Sequence, residues 1–158
     1  MTTETEKGDI GHTTAPVPGC MMCEQIFDPN RKTVLETEEF VGYVSDVYPW
    51  AIMFTAKRHD CDGPWSLNDA EASELGRMIP VLSRAIMDTG TERVYVLNFG
   101  EGVPLPHYHV GFFSRFEEIS DVVHEVLYRR VEAEAPDPAE VSRKFAADVR
   151  AQLSVADG

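Results

Sequence analysis

Residues 50–56 (WAIMFTA) are apolar at almost every position, so a β-strand made of them carries apolar side chains on both faces. Such a strand belongs in the middle of a sheet that is covered on both sides. Around it lie further strand signals. Residues 33–36 and 40–46 are short β-branched or aromatic runs separated by Thr37, Glu38 and Glu39, the pattern of a hairpin. Residues 92–99 and 106–114 supply a fourth and a fifth strand, joined by the loop Gly100-Glu101-Gly102-Val103-Pro104. Between the third and fourth strands stands the longest helical signal. Asn68 is placed to cap it, Asp69 and Glu71 fall in its first turn, and Leu75, Met78, Ile79, Leu82 and Ile86 recur at helical spacing. Pro80 deprives the Gly76 carbonyl of its partner and predicts a kink, and Gly90 ends the element. Ile119, Val122, Val123, Val126 and Leu127 mark a second helix, and Asp137-Pro138 opens a third that runs to about residue 153. The expected class is α+β: about five mainly antiparallel strands, one long helix and C-terminal helices.

A chain of 158 residues with 43% hydrophobic content suits one domain with a proper core. Residues 1–18 are polar and aperiodic and read as a disordered tail, leaving a single domain over 19–158 with its core in 20–115 and its C-terminal helices in 116–154. Fourteen basic against 27 acidic residues give a formal charge of −13, and no basic run offsets it, which disfavours nucleic acid as a partner. A small phosphorylated ligand stays compatible, because a pocket needs only a few well-placed donors. No run of 18 apolar residues suggests a membrane span, and the expected location is the cytoplasm. Three cysteines are an odd number for a disulfide framework and point to free thiols or a metal.

Two constellations could carry chemistry. Leu105-Pro106-His107-Tyr108-His109-Val110 sets two imidazoles two positions apart in a strand-like segment, where alternation turns both rings to one face. Imidazole near neutral pH serves as nucleophile, proton carrier or metal ligand, although an exposed polar strand face has the same pattern. Gly111, on that face, would leave room for a ligand beside the rings. Cys20 and Cys23 have metal-knuckle spacing but amount to half a site; His59 and Cys61 could complete it, with Asp60 and Asp62 as weaker donors, and free buried cysteines are the alternative. Lys57 and Arg58 could attract phosphate or simply end a strand in solvent. Glu101 could orient an imidazole or carry a proton.

Taken in order, CMMCEQI, EEFVGYVSDVYPWAIMFTAKRH and YVLNFGEGVPLPHYHV resemble the histidine-triad (HIT) family across about residues 20–115, whose signature is His-φ-His-φ-His-φ-φ with φ apolar. Aligned with Leu105 in the first position, the motif places His107 in the middle and His109 third. The resemblance implies a nucleotide-binding homodimer that transfers or hydrolyses at the α-phosphate. It makes His107 the nucleophile of a nucleotidyl-histidine intermediate and lets His109 stabilise phosphate oxygens or the leaving group. Substrate contacts are expected from Asn98, Glu101, Gly102 and Val103. No metal is required for this chemistry; zinc, where the family holds it, is structural, on the CxxC, the His matching His59 and the first triad His.

In that alignment Leu105 removes the first triad His and the fourth zinc ligand, which leaves Cys61 as the donor to test. Glu101-Gly102 stands where the family has the phosphate-contacting Gln-Ser pair, and Trp50-Ala51 where it has Gly-His. Two other functions fit these departures: a HIT-fold binding or regulatory protein without turnover, and a metal enzyme in which His107, His109 and a carboxylate hold a transition metal.

Overall fold

The structure is a computed structural model that describes residues 11–44, 48–98, 105–115 and 137–156. A short helix α1 (Met21–Phe27) leads into strands β1 (Lys32–Glu36), β2 (Phe40–Val44) and β3 (Ala51–Ala56). A 3-10 turn (Pro64–Ser66), helix α2 (Asp69–Met87), strands β4 (Arg93–Leu97) and β5 (His109–Arg115), and helix α3 (Pro138–Ala156) follow. The expected helix over 119–127, residues 1–10 of the expected tail and loop residues Glu101, Gly102 and Val103 lie outside the described residues.

The five strands form one antiparallel sheet in the order β1-β2-β3-β5-β4. Because β3 and β4 both run antiparallel to β5, they point the same way, and the chain must cross between them through α2. β3 is buried at all six positions, as its two-faced apolar sequence requires. Ile52, Phe54 and Ala56 face a core shared with Leu75, Leu82, Ala85 and Ile86 of α2 and Phe145, Ala146 and Val149 of α3. The opposite face holds Ala51 and Met53 with Val41, Tyr43, Phe113 and Ile26 of α1.

The capping box at Asn68 forms as predicted: its side chain accepts from Glu71 N, and the Glu71 carboxylate accepts from Asn68 N, both at 2.9 Å. Pro80 lies within α2 without ending it. The same Glu71 carboxylate binds Arg58 through two bonds of 2.7 and 2.8 Å, and Arg58 also donates to the Ser66 carbonyl at 2.7 Å. Burial raises the cost of the Glu71 charge, but the Arg58 guanidinium and the Asn68 N–H together outweigh it and hold the carboxyl below its ordinary value. Neither basic residue of the 57–58 pair is therefore a spare phosphate attractor, since Lys57 pairs with Glu36 at 3.0 Å. Tertiary pairing overrides the solvated reading that local composition suggested.

Candidate metal centre and active site

The tail expected over 1–18 gives way to an ordered strap well before residue 18. Thr13 N donates to the Lys57 carbonyl at 3.0 Å, Thr13 Oγ1 accepts from His59 N at 2.7 Å, and His12 meets Glu39 at 2.8 Å. Gly19 then takes a φ of +80°, a conformation costly for any residue with a Cβ, and turns the chain into α1. Cys20 caps that helix, its sulfur accepting from Cys23 N at 3.4 Å. One helical turn thus brings both thiols to the same end of α1.

Two imidazoles meet them. His59 follows β3 and brings Nδ1 to 3.4 Å from Cys23 Sγ, while His107 Nδ1 lies 3.4 Å from Cys20 Sγ and 3.5 Å from Cys23 Sγ. The four donor atoms all fall within 4.8 Å of one another. A tetrahedral zinc with Zn–S of about 2.3 Å and Zn–N of about 2.0–2.1 Å separates neighbouring sulfur and nitrogen by about 3.5 Å. The three sulfur–nitrogen contacts of 3.4, 3.4 and 3.5 Å match that edge length, and the donor set of two thiols and two imidazoles matches zinc chemistry. His107 Nε2 donates to the Ala56 carbonyl at 2.7 Å, the outer partner that leaves a ligating Nδ1 with its lone pair inward. Burial holds the His107 ring neutral, with its pKa lowered to about 4, and pushes the Cys23 thiol up to about 11. An ion bound here must therefore displace the Cys23 thiol proton but no imidazolium proton from His107 near neutral pH.

Cys61 does not complete this set, contrary to expectation. Its sulfur points to the Gly63 carbonyl at 3.8 Å within the core between the sheet and its two helices. The loop after His59 turns Cys61 to the opposite side, so proximity in sequence to His59 misled. The fourth donor is His107, separated from Cys20 by 87 positions.

The strand carrying the histidines also begins later than expected, at His109 rather than residue 106. His107 is thus outside the sheet, and at 2% exposure with both nitrogens engaged it is not an imidazole facing a ligand. The segment is pinned by Tyr108 N to the Cys61 carbonyl at 2.6 Å and by Ala56 N to the Tyr108 carbonyl at 3.1 Å. His109 has a different environment. It is half-buried and paired across the sheet with Thr55, and its Nδ1 donates to the His107 carbonyl at 3.0 Å. Its Nε2 has no hydrogen-bond partner among the described residues. Asn98, expected to contact substrate, lies beside it, and its amide donates to the His109 carbonyl at 2.5 Å.

Gly111 does not open a space beside the rings. A Cβ built there would stand 2.2 Å from Phe113 Cε2, so the Phe113 ring already fills that volume, with Tyr48 packed edge-on against it at 5.5 Å. Sequence reasoning missed Phe113 because it counted Gly111 as a vacancy without asking which same-face neighbour, two residues on, would lean into it.

No family model and no curated protein matches the sequence. Solved structures do share the fold. A hypothetical histidine-triad nucleotide-binding protein from Sulfolobus tokodaii is similar over 87% of this chain and 94% of its own, with a TM-score of 0.66 and 19% identity. A zinc-bound histidine-triad family protein from Mycobacterium smegmatis is similar over 82% and 88%, at a TM-score of 0.59 and 14% identity. A uridylyltransferase is similar over 87% of this chain but only 46% of its own, at a TM-score of 0.63 and 17% identity. The chain has the histidine-triad fold.

Proposed function

We propose, with the histidine-triad fold as premise, that this chain binds a nucleotide and transfers or hydrolyses its α-phosphate group with His109 as the nucleophile. The observation that carries the proposal is the place of His107. In the family the first triad His joins the CxxC and the His after the third strand at zinc, and here His107 holds that position. The motif therefore runs His107-Tyr108-His109-Val110-Gly111-Phe112-Phe113, two residues later than the alignment that began at Leu105. His109 takes the middle place and Gly111 the third. The shift moves the family's Gln-Ser pair from Glu101-Gly102 to Val103-Pro104, which lie outside the described residues.

The chemistry follows from His109. Its Nδ1–H is committed to the His107 carbonyl, which leaves the Nε2 lone pair for attack on phosphorus. An N–P bond forms, the bond from phosphorus to the leaving group breaks, and the leaving group departs with the electron pair. Water or another acceptor then cleaves the N–P bond and releases the histidine. The four-donor centre suits structural zinc, which supplies a cross-link between α1, the end of β3 and the segment before β5; the zinc-bound Mycobacterium smegmatis neighbour supports that assignment. The facial-triad alternative loses support, because His107 Nδ1 is turned toward the two thiols.

A binding role without turnover is the second reading, favoured by Gly111 under the Phe113 ring, which puts an aromatic surface where a third imidazole would project. Edge strand β4, with Val96 38% exposed, is where we place the homodimer contact. No helix among the described residues is long and apolar enough to cross a membrane.

Intact-protein mass spectrometry after incubation with adenosine 5′-phosphoramidate and diadenosine polyphosphates tests the proposal. A nucleotidyl adduct present in the wild type and His107→Cys and absent in His109→Ala supports it. Binding without adduct or product supports the second reading instead.

A further inference from the structure

Two arginines at the far end of the sheet face that carries His109 have no anionic partner among the described residues. Arg93 of β4 and Arg115 of β5 are register partners, so their side chains leave the sheet on the same side, next to Tyr95 and Phe113. Strand alternation puts His109 on that face as well. We infer that Arg93 and Arg115 form a second anion site, separate from His109, for a phosphate monoester with a flat organic group. Six residues of strand separate Arg115 from His109, and its guanidinium leans back over Tyr95, which sets the pair about 13–20 Å from the nucleophile. The site goes beyond the nucleotidyl-transfer reading and stands whether or not His109 turns over a nucleotide.

Charge sets this pair apart. Like charges directly opposite on adjacent strands repel and weaken the pairing unless something neutralises them. The chain carries 27 acidic residues against 14 basic ones, and Arg31, Lys57, Arg58 and Lys144 each meet a carboxylate within 3.0 Å. Arg93 and Arg115 meet none among the described residues, and neighbouring Glu92 pairs with neither. Arg115 is also half-buried, and its Nε is shut off from solvent without a hydrogen-bond acceptor. A buried donor on a cation is costly to leave unpaired, and a bound anion removes that cost and the repulsion together.

The two guanidiniums rise from a fixed base. Thr91, itself buried, puts Oγ1 2.7 Å from the Arg115 carbonyl and 3.2 Å from the Arg93 carbonyl, and Glu92 N donates to the Arg115 carbonyl at 2.6 Å. Arg115 Cζ lies over the Tyr95 ring, 5.9 Å from its centroid, which engages one face of the ion and leaves its N–H edge for an acceptor. That planar fork suits phosphate oxygens two at a time, and Arg93 supplies the second charge needed to balance a dianion. Tyr95, half-buried, and Tyr48, edge-on to Phe113 at 5.5 Å, put aromatic surface beside the pair, which favours an aryl or nucleoside phosphate over inorganic phosphate. Val96, at the proposed homodimer contact, alternates to the opposite face.

Phenyl phosphate is the probe, titrated into the full chain while the Arg115 Nε–H resonance is followed by 15N NMR at fixed pH and ionic strength. A saturable shift is expected in the wild type and in His109→Ala, with inorganic phosphate about fivefold weaker and chloride without effect. Arg93→Gln, at an exposed position, should weaken half-saturation by at least ~10-fold, the loss of one charge-assisted contact. No saturable shift, or one undiminished in Arg93→Gln, overturns the site. A shift kept in Arg93→Gln and lost in His109→Ala puts the anion at the nucleophile and overturns it too. Should Nε–H exchange with water too fast to be seen, the rise in melting temperature on adding phenyl phosphate decides: an equal rise in the wild type, Arg93→Gln and Arg115→Gln overturns the site. Failure to form a nucleotidyl adduct would sink the catalytic reading and leave each of these measurements intact.

Discussion

The ring of Phe113 occupies the volume into which a side chain at Gly111 would grow, with Cε2 2.2 Å from the ideal Cβ position. In the motif register proposed above, Gly111 is the third triad position. The loss of that imidazole and the inward lean of Phe113 are therefore one structural change that needs two residues to reverse. Gly111→His alone should overpack the sheet face and cost about 1–3 kcal/mol. Gly111→His with Phe113→Leu should recover most of that loss, measured by urea denaturation. Equal stability of the single variant and the wild type would show that Phe113 yields freely.

His109→Ala should lower adduct formation and turnover by at least ~10³-fold with little change in melting temperature, because the residue is half-buried and its Nε2 supports no packing. Full activity in that variant, followed by single-turnover kinetics, would end its assignment as nucleophile.

Elemental analysis of purified protein should find one zinc per chain, retained in Cys61→Ala and lost in Cys20→Ala and Cys23→Ala. The ligating thiols sit in the four-donor cluster and Cys61 sits in the core on the far side of the sheet. Chelation should lower the melting temperature by roughly 10 °C, since a metal that cross-links three chain segments contributes several kcal/mol to folding. Zinc lost with Cys61 instead would overturn the assigned ligand set.

The buried Arg58–Glu71 pair sets an acid limit on stability. Glu71 is held below its ordinary value in the folded chain, so its contribution is complete above the unfolded carboxylate value near 4.5 and is lost as pH falls through the lower folded value. Glu71→Gln leaves the Arg58 charge without its partner and should cost about 3–5 kcal/mol at pH 7. It should also flatten the acid limb of the stability curve, measured on metal-free protein to separate it from ligand protonation. An unchanged acid limb would mean other carboxylates set it.

Much of the fold was legible because it follows from local pattern. The almost wholly apolar β3 demanded two covering layers, the Asn68 cap and the 3.6-residue periodicity located α2, and Asp137-Pro138 announced α3. Helix α1 was harder to see: seven residues are too few for periodicity, and its start depends on the backbone turn at Gly19. The fate of Arg58 was hidden for another reason. A basic residue after a strand has the local composition of a solvated end, and only the return of α2 brings Glu71 to it.

By itself, the sequence determined that two imidazoles, a CxxC and a histidine after the third strand belong to one α+β sheet protein, because strand alternation, helix periodicity and capping act within a few residues. It did not determine the register of the histidine motif. Leu105 breaks the triad in one alignment and Gly111 in the other, so the two are equally incomplete when read along the chain. The tertiary structure decided which histidine meets the thiols, bringing His107 to Cys20 across 87 positions, and left His109 outside that cluster with no partner at Nε2 among the described residues. Which donors share one tetrahedron is settled by distances between segments that meet only when the sheet closes, and no local pattern encodes those distances.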